Sequence, residues 1–300
     1  MRALLASVLV VAACTSGSSK QPSACGGATC DSSEVCDMTD PAGPTCIDAD
    51  GDVDGDGIPN GEDFCEHMAG GAHDEDGDGI GDECDACPIA PPPPTPDLDG
   101  DKVDRPCDPD PDSPGDEIVA FAGFEDGIPS NWTATSGWTT EDGFAVVHAG
   151  ATPEKLNFGL PYFTTHTAIL TAYTVDDTDG NAQVAVYGSD IRPAGTTIIT
   201  CAAARNGSAD QLELTTDVSS MAHAFANLFD PSAKYQLAVT MDNITSACIA
   251  TSSAESQITS ASTGGDSMTA AGLTAQNATL RFAYILAIQR NMSTSGVAPE

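Results

Sequence analysis

Three acidic stretches constrain the fold of this chain more than any other feature. They begin at Asp52, Asp74 and Asp97 and read DVDGDGIPNGEDFC, DEDGDGIGDECDAC and DLDGDKVDRPCD. Residues 48–117 carry 24 of the 45 Asp and Glu residues but only two cationic side chains. Carboxylates this close together repel one another, and the segment has too few apolar residues to form a core. We therefore expect it to fold around bound cations.

The spacing of the aspartates matches a calcium-binding loop. Such a loop of about twelve residues supplies oxygens from positions 1, 3, 5, 7, 9 and 12, of which the seventh is a backbone carbonyl, and has glycine at position 6. The predicted ligands of the first two loops are Asp52, Asp54, Asp56, Ile58, Asn60 and Asp63, and Asp74, Asp76, Asp78, Ile80, Asp82 and Asp85. Those of the third loop are Asp97, Asp99, Asp101, Val103 and Asp108. There Lys102 replaces the glycine and Arg105 the ninth ligand. The sequence predicts two or more bound Ca²⁺ ions.

The residues flanking the loops distinguish them from helical EF-hands. Gly, Pro and Cys occupy the flanks, where an EF-hand has amphipathic helices, and cysteines follow or interrupt the loops. This combination resembles the thrombospondin type 3 repeat, in which the chain wraps around a row of calcium ions. The resemblance implies disulfides between Cys65 and Cys84 and between Cys87 and Cys107. The alternatives are a solvated acidic linker and, for the C-x-x-C formed by Cys84 and Cys87, a redox or zinc site.

The N-terminus has the pattern of a secretory signal peptide. One basic residue precedes an apolar run from Ala3 to Ala13, which is shorter than the roughly 20 residues of a membrane-spanning helix. The ending VAAC resembles the bacterial lipobox, which implies that residues 1–13 are removed and that Cys14 is acylated. A plain signal peptide is the alternative. We expect an exported protein that is lipid-anchored to the bacterial outer membrane or cell surface, with residues 14–24 as a flexible tether.

The cysteine count agrees with export. Of 11 cysteines, ten remain for pairing once Cys14 carries lipid, and an oxidising compartment favours disulfides. Residues 25–47 form a module too short to bury a core, so disulfides would have to hold it. The pairing among its four cysteines stays open: Cys25, Cys30, Cys36 and Cys46. Cys201 and Cys248 lie in predicted strands and are expected to pair.

After Gly115 the sequence changes to short runs rich in Val, Ile, Thr, Tyr and Phe, separated by Gly, Asp, Asn and Pro. The pattern predicts a mainly β fold, an antiparallel β-sandwich over residues 116–300. The predicted strands are 117–124, 144–149, 167–175, 182–188, 196–204, 211–216, 234–242, 244–251 and 278–289. One short helix is predicted at 221–229. Residues 48–115 are predicted to form a calcium- and disulfide-stabilised stalk with little regular secondary structure.

Three segments of the predicted sandwich carry a resemblance to the concanavalin A-like, laminin-G-like jelly roll. They are FEDGIPSNWT, GWTTEDG and TLRFAYILAI. The resemblance implies binding of sugars or proteins, and some members of this class hydrolyse glycans. The E-x-D-x-E cluster that jelly-roll glucanases use for hydrolysis does not occur here. Trp132 and Trp138 would either stack on sugar rings or fill the core, and the second alternative is favoured.

These features predict a non-enzymatic, calcium-binding surface lipoprotein whose sandwich binds a carbohydrate or a surface protein. The alternatives are a glycan hydrolase with its acids dispersed on loops, among them Glu125 and Glu141, and a purely structural spacer. The net charge of −35 argues against nucleic acid and anionic lipid headgroups as partners. The five histidines show no ligand spacing, and no nucleotide-binding or serine-nucleophile motif occurs.

Overall fold

The computed structural model describes residues 24–25, 27–40, 42–92, 97–192, 195–225, 227–253, 255–262 and 267–291. The predicted signal peptide and Cys14 lie outside these residues. The chain forms two compact units, Met1–Ala72 with Gly79–Cys84 and His73–Asp78 with Asp85–Glu300. The boundary between the units runs through the second acidic stretch, whereas the composition of the sequence changes near residue 115.

The described part of the first unit contains two very small hairpins followed by the first acidic loop. Strand β1 (Ala24–Cys25) pairs with β2 (Ala28–Thr29), and β3 (Glu34–Asp37) pairs with β4 (Thr45–Asp48), both antiparallel. The disulfides that sequence left open join Cys25 to Cys36 and Cys30 to Cys46. The predicted bond between Cys65 and Cys84 is confirmed. Phe64 is the one buried apolar residue other than cysteine in the described part of this unit, so cross-links replace a core.

The second unit is an antiparallel β structure. Its described part contains thirteen strands: β5 (Asp116–Ala122), β6 (Thr133–Ala134), β7 (Trp138–Glu141), β8 (Phe144–Ala149), β9 (Glu154–Thr164), β10 (His166–Arg192), β11 (Gly195–Asn206), β12 (Ala209–Thr215), β13 (Ser220–Phe225), β14 (Tyr235–Asp242), β15 (Thr245–Thr251), β16 (Ser256–Ser262) and β17 (Met268–Arg290). The prediction of a mainly β, antiparallel fold is confirmed. Residues 49–115 contain only turns, bends and irregular backbone where the structure describes them.

A long bent ribbon organises the sandwich. Strands β10 and β17 pair along most of their lengths, with register shifts near Tyr173, Val175 and Thr178. Such irregularities bend a strand, so the two halves of the ribbon contribute to different layers. The first half of β10 carries β14, β15 and β16, and the second half carries β11, β12 and β13. These two groups of strands pack face to face. The predicted disulfide between Cys201 of β11 and Cys248 of β15 joins them.

The free edge of β17 is covered by three further strands. Strand β9 pairs with its first third, β8 with its middle and β5 with its end. The core between the layers is formed by alternating side chains, because successive residues of a strand point to opposite faces. Its largest fully buried members include Tyr173, Tyr235, Phe229 and Phe282.

The helix predicted at 221–229 is wrong. The described residues of this segment begin with β13, which pairs antiparallel with β12 from Ser220 opposite Thr215 to Phe225 opposite Asp210. The alternation of β12 places Leu212 and Leu214 in the core and leaves its outer edge to be paired. This ladder decides the conformation, because an unpaired strand edge leaves backbone hydrogen-bonding groups unsatisfied. The part of the chain that the structure describes contains no helix with the length and hydropathy of a membrane span.

The third acidic repeat packs on the outer face of the ribbon. Ile169 of β10 and Ile285 of β17 point into the main core, whereas their neighbours Ala168 and Tyr284 belong to a second apolar cluster. The repeat contributes Val103 and the disulfide-bonded cysteines Cys87 and Cys107 to this second cluster. The predicted disulfide between Cys87 and Cys107 is thereby confirmed, and it lies against the sheet.

Candidate calcium-binding loops

Each acidic stretch gathers three carboxylates at one point. In all three, oxygens from positions 1, 3 and 5 lie within 4.8 Å of one another. The three sets are Asp52, Asp54 and Asp56; Asp74, Asp76 and Asp78; and Asp97, Asp99 and Asp101. The structure therefore brings together the first three predicted ligands of every loop.

The backbone of the loops explains this convergence. In each loop the first aspartate accepts a hydrogen bond of 2.7 Å from the N–H three residues later, which belongs to Gly55, Gly77 or Gly100. These glycines have positive φ angles, as does position 6, occupied by Gly57, Gly79 and Lys102. Lys102 adopts φ 77°, so the third loop keeps the conformation of the other two although it lacks the glycine. The cost is the strain of a side chain in the left-handed region.

Several carboxylate oxygens in the loops are buried and accept no hydrogen bond. At position 3 these are Oδ2 of Asp54, Oδ2 of Asp76 and both oxygens of Asp99. At position 12 they are Oδ2 of Asp85 and Oδ2 of Asp108. A buried charged oxygen without a partner is costly, and a bound cation removes that cost. The donor set is oxygen only, which suits a hard cation such as calcium.

The position-12 carboxylates have one fixed oxygen each. Oδ1 of Asp63, Asp85 and Asp108 accepts the N–H two residues later, at 2.8 Å in each case. For Asp85 and Asp108 the second oxygen is the one that is buried without a hydrogen bond. This arrangement holds the carboxylate in one orientation.

The pKa values of these carboxyl groups reflect their crowding. Burial, followed by the charge of Asp78, raises the pKa of Asp76 to about 6. Burial, with the charges of Asp78 and Asp76, raises the pKa of Asp85 to about 7. Burial also raises the pKa of Asp108 to about 7, with the charge of Asp101 adding to it. The position-12 group therefore lies close enough to the triad to feel its charge, as a shared ion requires.

The predicted ligands at positions 7 and 9 differ from loop to loop in their hydrogen bonds or in the compact unit to which they belong. The amide of Asn60 accepts a hydrogen bond from the N–H of Val53 and donates one to the carbonyl of Asp48. The N–H groups of Ile58 and Val103, at position 7, donate to the position-5 carboxylates, and their carbonyls are the predicted ligands. Ile80 and Asp82 belong to the first compact unit.

In the first and third loops the position-5 carboxylate also accepts hydrogen bonds from backbone N–H groups outside its own loop. Oδ2 of Asp56 accepts the N–H of Gly70, and Oδ2 of Asp101 accepts the N–H of Gly115, in both cases 14 residues later. Asp101 also accepts the N–H of Asp116, the first residue of β5. The third loop is thus hydrogen-bonded to the start of the sandwich. Sequence spacing alone does not predict these hydrogen bonds, because they depend on how the folded chain places residues 14 or 15 positions later beside the loop.

Arg290, near the end of β17, reinforces this attachment. Its guanidinium pairs with Asp110 at 2.9 Å and with the buried Asp116 at 3.1 Å. It also donates to the carbonyl of Ser113. The segment between the third loop and β5 is therefore tied to the last strand of the sandwich.

The two tryptophans contribute to the core, the alternative that the sequence favoured. Trp138 is buried, with its ring centroid 5.4 Å from that of Phe282. Trp132 is partly buried and stacks on Phe158 at 4.3 Å. The ring face that stacks on Phe158 is not available to a sugar.

The comparisons with known proteins give distant likenesses only. No family model matches the chain, and no curated protein matches it. Among solved structures, the chain is similar to the CBM2 module of the evolved Dit of Lactobacillus casei BL23 phage J-1, with 13% identity, a TM-score of 0.45, and coverage of 59% of this chain and 97% of that one.

Two further similar structures are a carbohydrate-binding module and a glycoside hydrolase. The carbohydrate-binding module CBM66 from Bacillus subtilis shows 14% identity and a TM-score of 0.38, with coverage of 51% of this chain and 91% of that one. An endo-β-galactosidase from Clostridium perfringens that releases GlcNAcα1-4Gal shows 9% identity and a TM-score of 0.46, with coverage of 62% and 65%. At these levels the likenesses identify neither a ligand nor a reaction for this chain.

Proposed function

We propose that the three acidic loops bind calcium and that the bound ions hold the loop segments folded. The observation that carries this proposal is the set of buried carboxylate oxygens without hydrogen bonds, at positions 3 and 12 of the loops. A cation that accepts six to eight oxygens, at roughly 2.3–2.6 Å, uses them together with backbone carbonyls. Magnesium is disfavoured, because it keeps several of its waters and demands near-octahedral geometry.

The third loop is included in this proposal. The ligand atoms of its triad lie within 4.8 Å of one another, as in the other two loops, and Lys102 shares the positive φ that glycine adopts at this position elsewhere. Both oxygens of Asp99 are buried without a hydrogen bond. Only the ninth position lacks an oxygen side chain, and water commonly completes this position in calcium loops.

Calcium titration of the full chain, after removal of bound metal, tests the proposal. We expect calorimetry to find three ions, and Asp54→Asn to remove or weaken the first of them. Asp112→Asn is the matched control, because Asp112 is an exposed acid outside the loops. An equal loss of calcium in both variants, or no binding by the wild type, would contradict the proposal.

We further propose that the protein is exported, anchored by lipid at Cys14, and binds a carbohydrate or a surface protein through its sandwich. Intact-mass analysis of the N-terminus tests the anchor, since an unmodified Cys14 would contradict it. A screen of the full chain against polysaccharides and surface proteins tests the binding role.

The ion pair of Glu141 disfavours the hydrolase alternative. Glu141 is paired with Arg281 at 3.1 Å, and Arg281 also pairs with Asp176 at 2.8 Å. Arg281 thus binds the carboxylate that this alternative would use for catalysis. Release of reducing sugar that is abolished by Glu125→Gln or Glu141→Gln would establish the hydrolase instead.

A further inference from the structure

A cluster of two carboxylates and one imidazole lies in the first unit, outside the acidic loops. Asp37, Asp40 and His67 present ligand atoms within 4.8 Å of one another. Asp37 ends β3, and His67 follows it by 30 residues, with 2.8 Å between Nε2 of His67 and Oδ2 of Asp37. The histidines show no ligand spacing along the sequence, so only the folded chain reveals this cluster.

The carboxylate of Asp37 is buried and held in one orientation. Its side chain is 1% exposed. Oδ1 accepts hydrogen bonds from the N–H and hydroxyl of Thr39, at 2.8 and 3.0 Å, and from the N–H of Asp40 at 3.0 Å. These donors leave Oδ2 directed at His67. Oδ1 of Asp40 accepts the N–H of Ala42 at 2.7 Å, which orients the second carboxylate.

The surroundings of this cluster add negative charge. The hydroxyl of Thr39 lies 3.1 Å from Oε2 of Glu66, whose side chain is also buried. A cation at the cluster therefore sits beside three acids of the first unit and one imidazole. Nearby negative charge attracts a cation, and the attraction is stronger for a divalent ion than for a singly charged one.

Two other histidine–aspartate pairs in the described chain show what an ordinary pair looks like. His73 lies 3.4 Å from Asp126, and His166 lies 2.9 Å from Asp242. The aspartates in those pairs are 91% and 80% exposed, whereas Asp37 is 1% exposed. Neither pair has a second carboxylate at ligand distance within the residues that the structure describes.

We propose that Asp37, Asp40 and His67 bind a divalent transition metal, represented by Zn²⁺. Imidazole nitrogen and carboxylate oxygen are both zinc ligands, and three protein ligands leave the fourth tetrahedral position for water. Calcium takes oxygen ligands, so this site is chemically distinct from the acidic loops. Zinc binds Nε2 of His67 in the neutral tautomer that carries its ring proton on Nδ1, so that Nε2 and Oδ2 of Asp37 both face the ion. His67 is partly exposed, which gives the ion access.

Zinc titration of the full chain in saturating calcium tests this site separately from the loops. The chain is first stripped of metal and kept free of thiol reductants, so that the disulfides stay intact and the loops are filled by calcium. We expect calorimetry to find one zinc ion in the wild type. His67→Asn and Asp40→Asn should each weaken zinc binding about tenfold or more. Asp40→Asn is included because it leaves the buried Asp37 and its turn in place.

The matched control is His166→Asn, which removes an imidazole from a pair without a second carboxylate. It should leave zinc binding unchanged. With Co²⁺ as the probe, a visible absorption band should form in the wild type and in His166→Asn but not in His67→Asn. Zinc binding that is the same in His67→Asn as in the wild type would overturn the proposal, as would the absence of zinc binding by the calcium-loaded wild type.

Discussion

The two compact units of this chain contain similar acidic loops but are stabilised in different ways. In the first unit, Phe64 and the cysteines are the only buried apolar residues that the structure describes. In the second, residues from nearly every strand form one large apolar core. Because burial of apolar area is the main stabilising contribution in folding, we expect the strands of the second unit to hold their fold without cross-links or metal. The first unit depends on disulfides, hydrogen-bonded carboxylates and, by our proposal, calcium.

The largest expected effect, the unfolding of a whole module, comes from removing a disulfide in the first unit. The double substitution Cys25→Ala with Cys36→Ala should unfold the hairpin module of residues 24–48 even in calcium. No apolar core compensates for the lost cross-link, which in a small domain is worth about 2–5 kcal/mol. Limited proteolysis measures this outcome. Cleavage confined to the first unit is expected, and a module as resistant as in the wild type would contradict the comparison.

A large truncation in the sandwich core should have the next largest effect. Phe282 is fully buried, beside Trp138 and Tyr173. Phe282→Ala should lower the free energy of unfolding of the sandwich by about 3–5 kcal/mol, because it removes buried contacts and leaves a cavity. Urea denaturation followed by tryptophan fluorescence measures this change, since both tryptophans lie in the sandwich. Calcium binding by the first loop should be unaffected, and a change there would show that the two units are not independent.

The same chemical change made in the sandwich should be tolerated. Cys201→Ala with Cys248→Ala opens a loop of 47 residues and should cost about 2–4 kcal/mol in the free energy of unfolding. The sandwich should nevertheless stay folded at 25 °C, because its core is intact. Circular dichroism and urea denaturation test this. A sandwich that fails to fold without this bond would remove the distinction between the units.

The smallest effect concerns the strained residue of the third loop. Lys102→Gly should stabilise the calcium-bound loop by about 1 kcal/mol, since glycine adopts a positive φ without steric cost. Calcium affinity measured by calorimetry reports this gain. Lys102→Ala is the control, because it removes the same charge but keeps the Cβ atom. If alanine raises the affinity as much as glycine, the gain comes from charge and the strain argument fails.

Sequence reasoning succeeded where the information is local. The positions of the loop aspartates are fixed by spacing within a few residues, and the structure gathers the first three of each loop. The pairing of Cys65 with Cys84 followed from a family resemblance, and that of Cys201 with Cys248 from their isolation in an exported domain. Alternating apolar residues located most of the core strands.

It failed where distant segments decide the outcome. The strands predicted at 167–175 and 182–188 are parts of one strand, β10, which continues through the polar residues between them, with β17 paired on both sides. Strand β13 forms on the edge of β12 although its own sequence suggested a helix. The third repeat packs on the ribbon, and His67 lies close to Asp37, only because the folded chain brings distant segments together. No local sequence pattern predicts either contact.

Amide hydrogen exchange of the full chain, with calcium and with a chelator, tests most directly whether metal takes the place of a core in the first unit. Chelation should remove the protection of loop amides such as those of Gly55 and Gly57, whose N–H groups donate to Asp52. The amides of the paired strands β10 and β17 should keep their protection, because the core that covers them contains no proposed metal site. Equal protection of the loop amides with and without calcium would contradict the account.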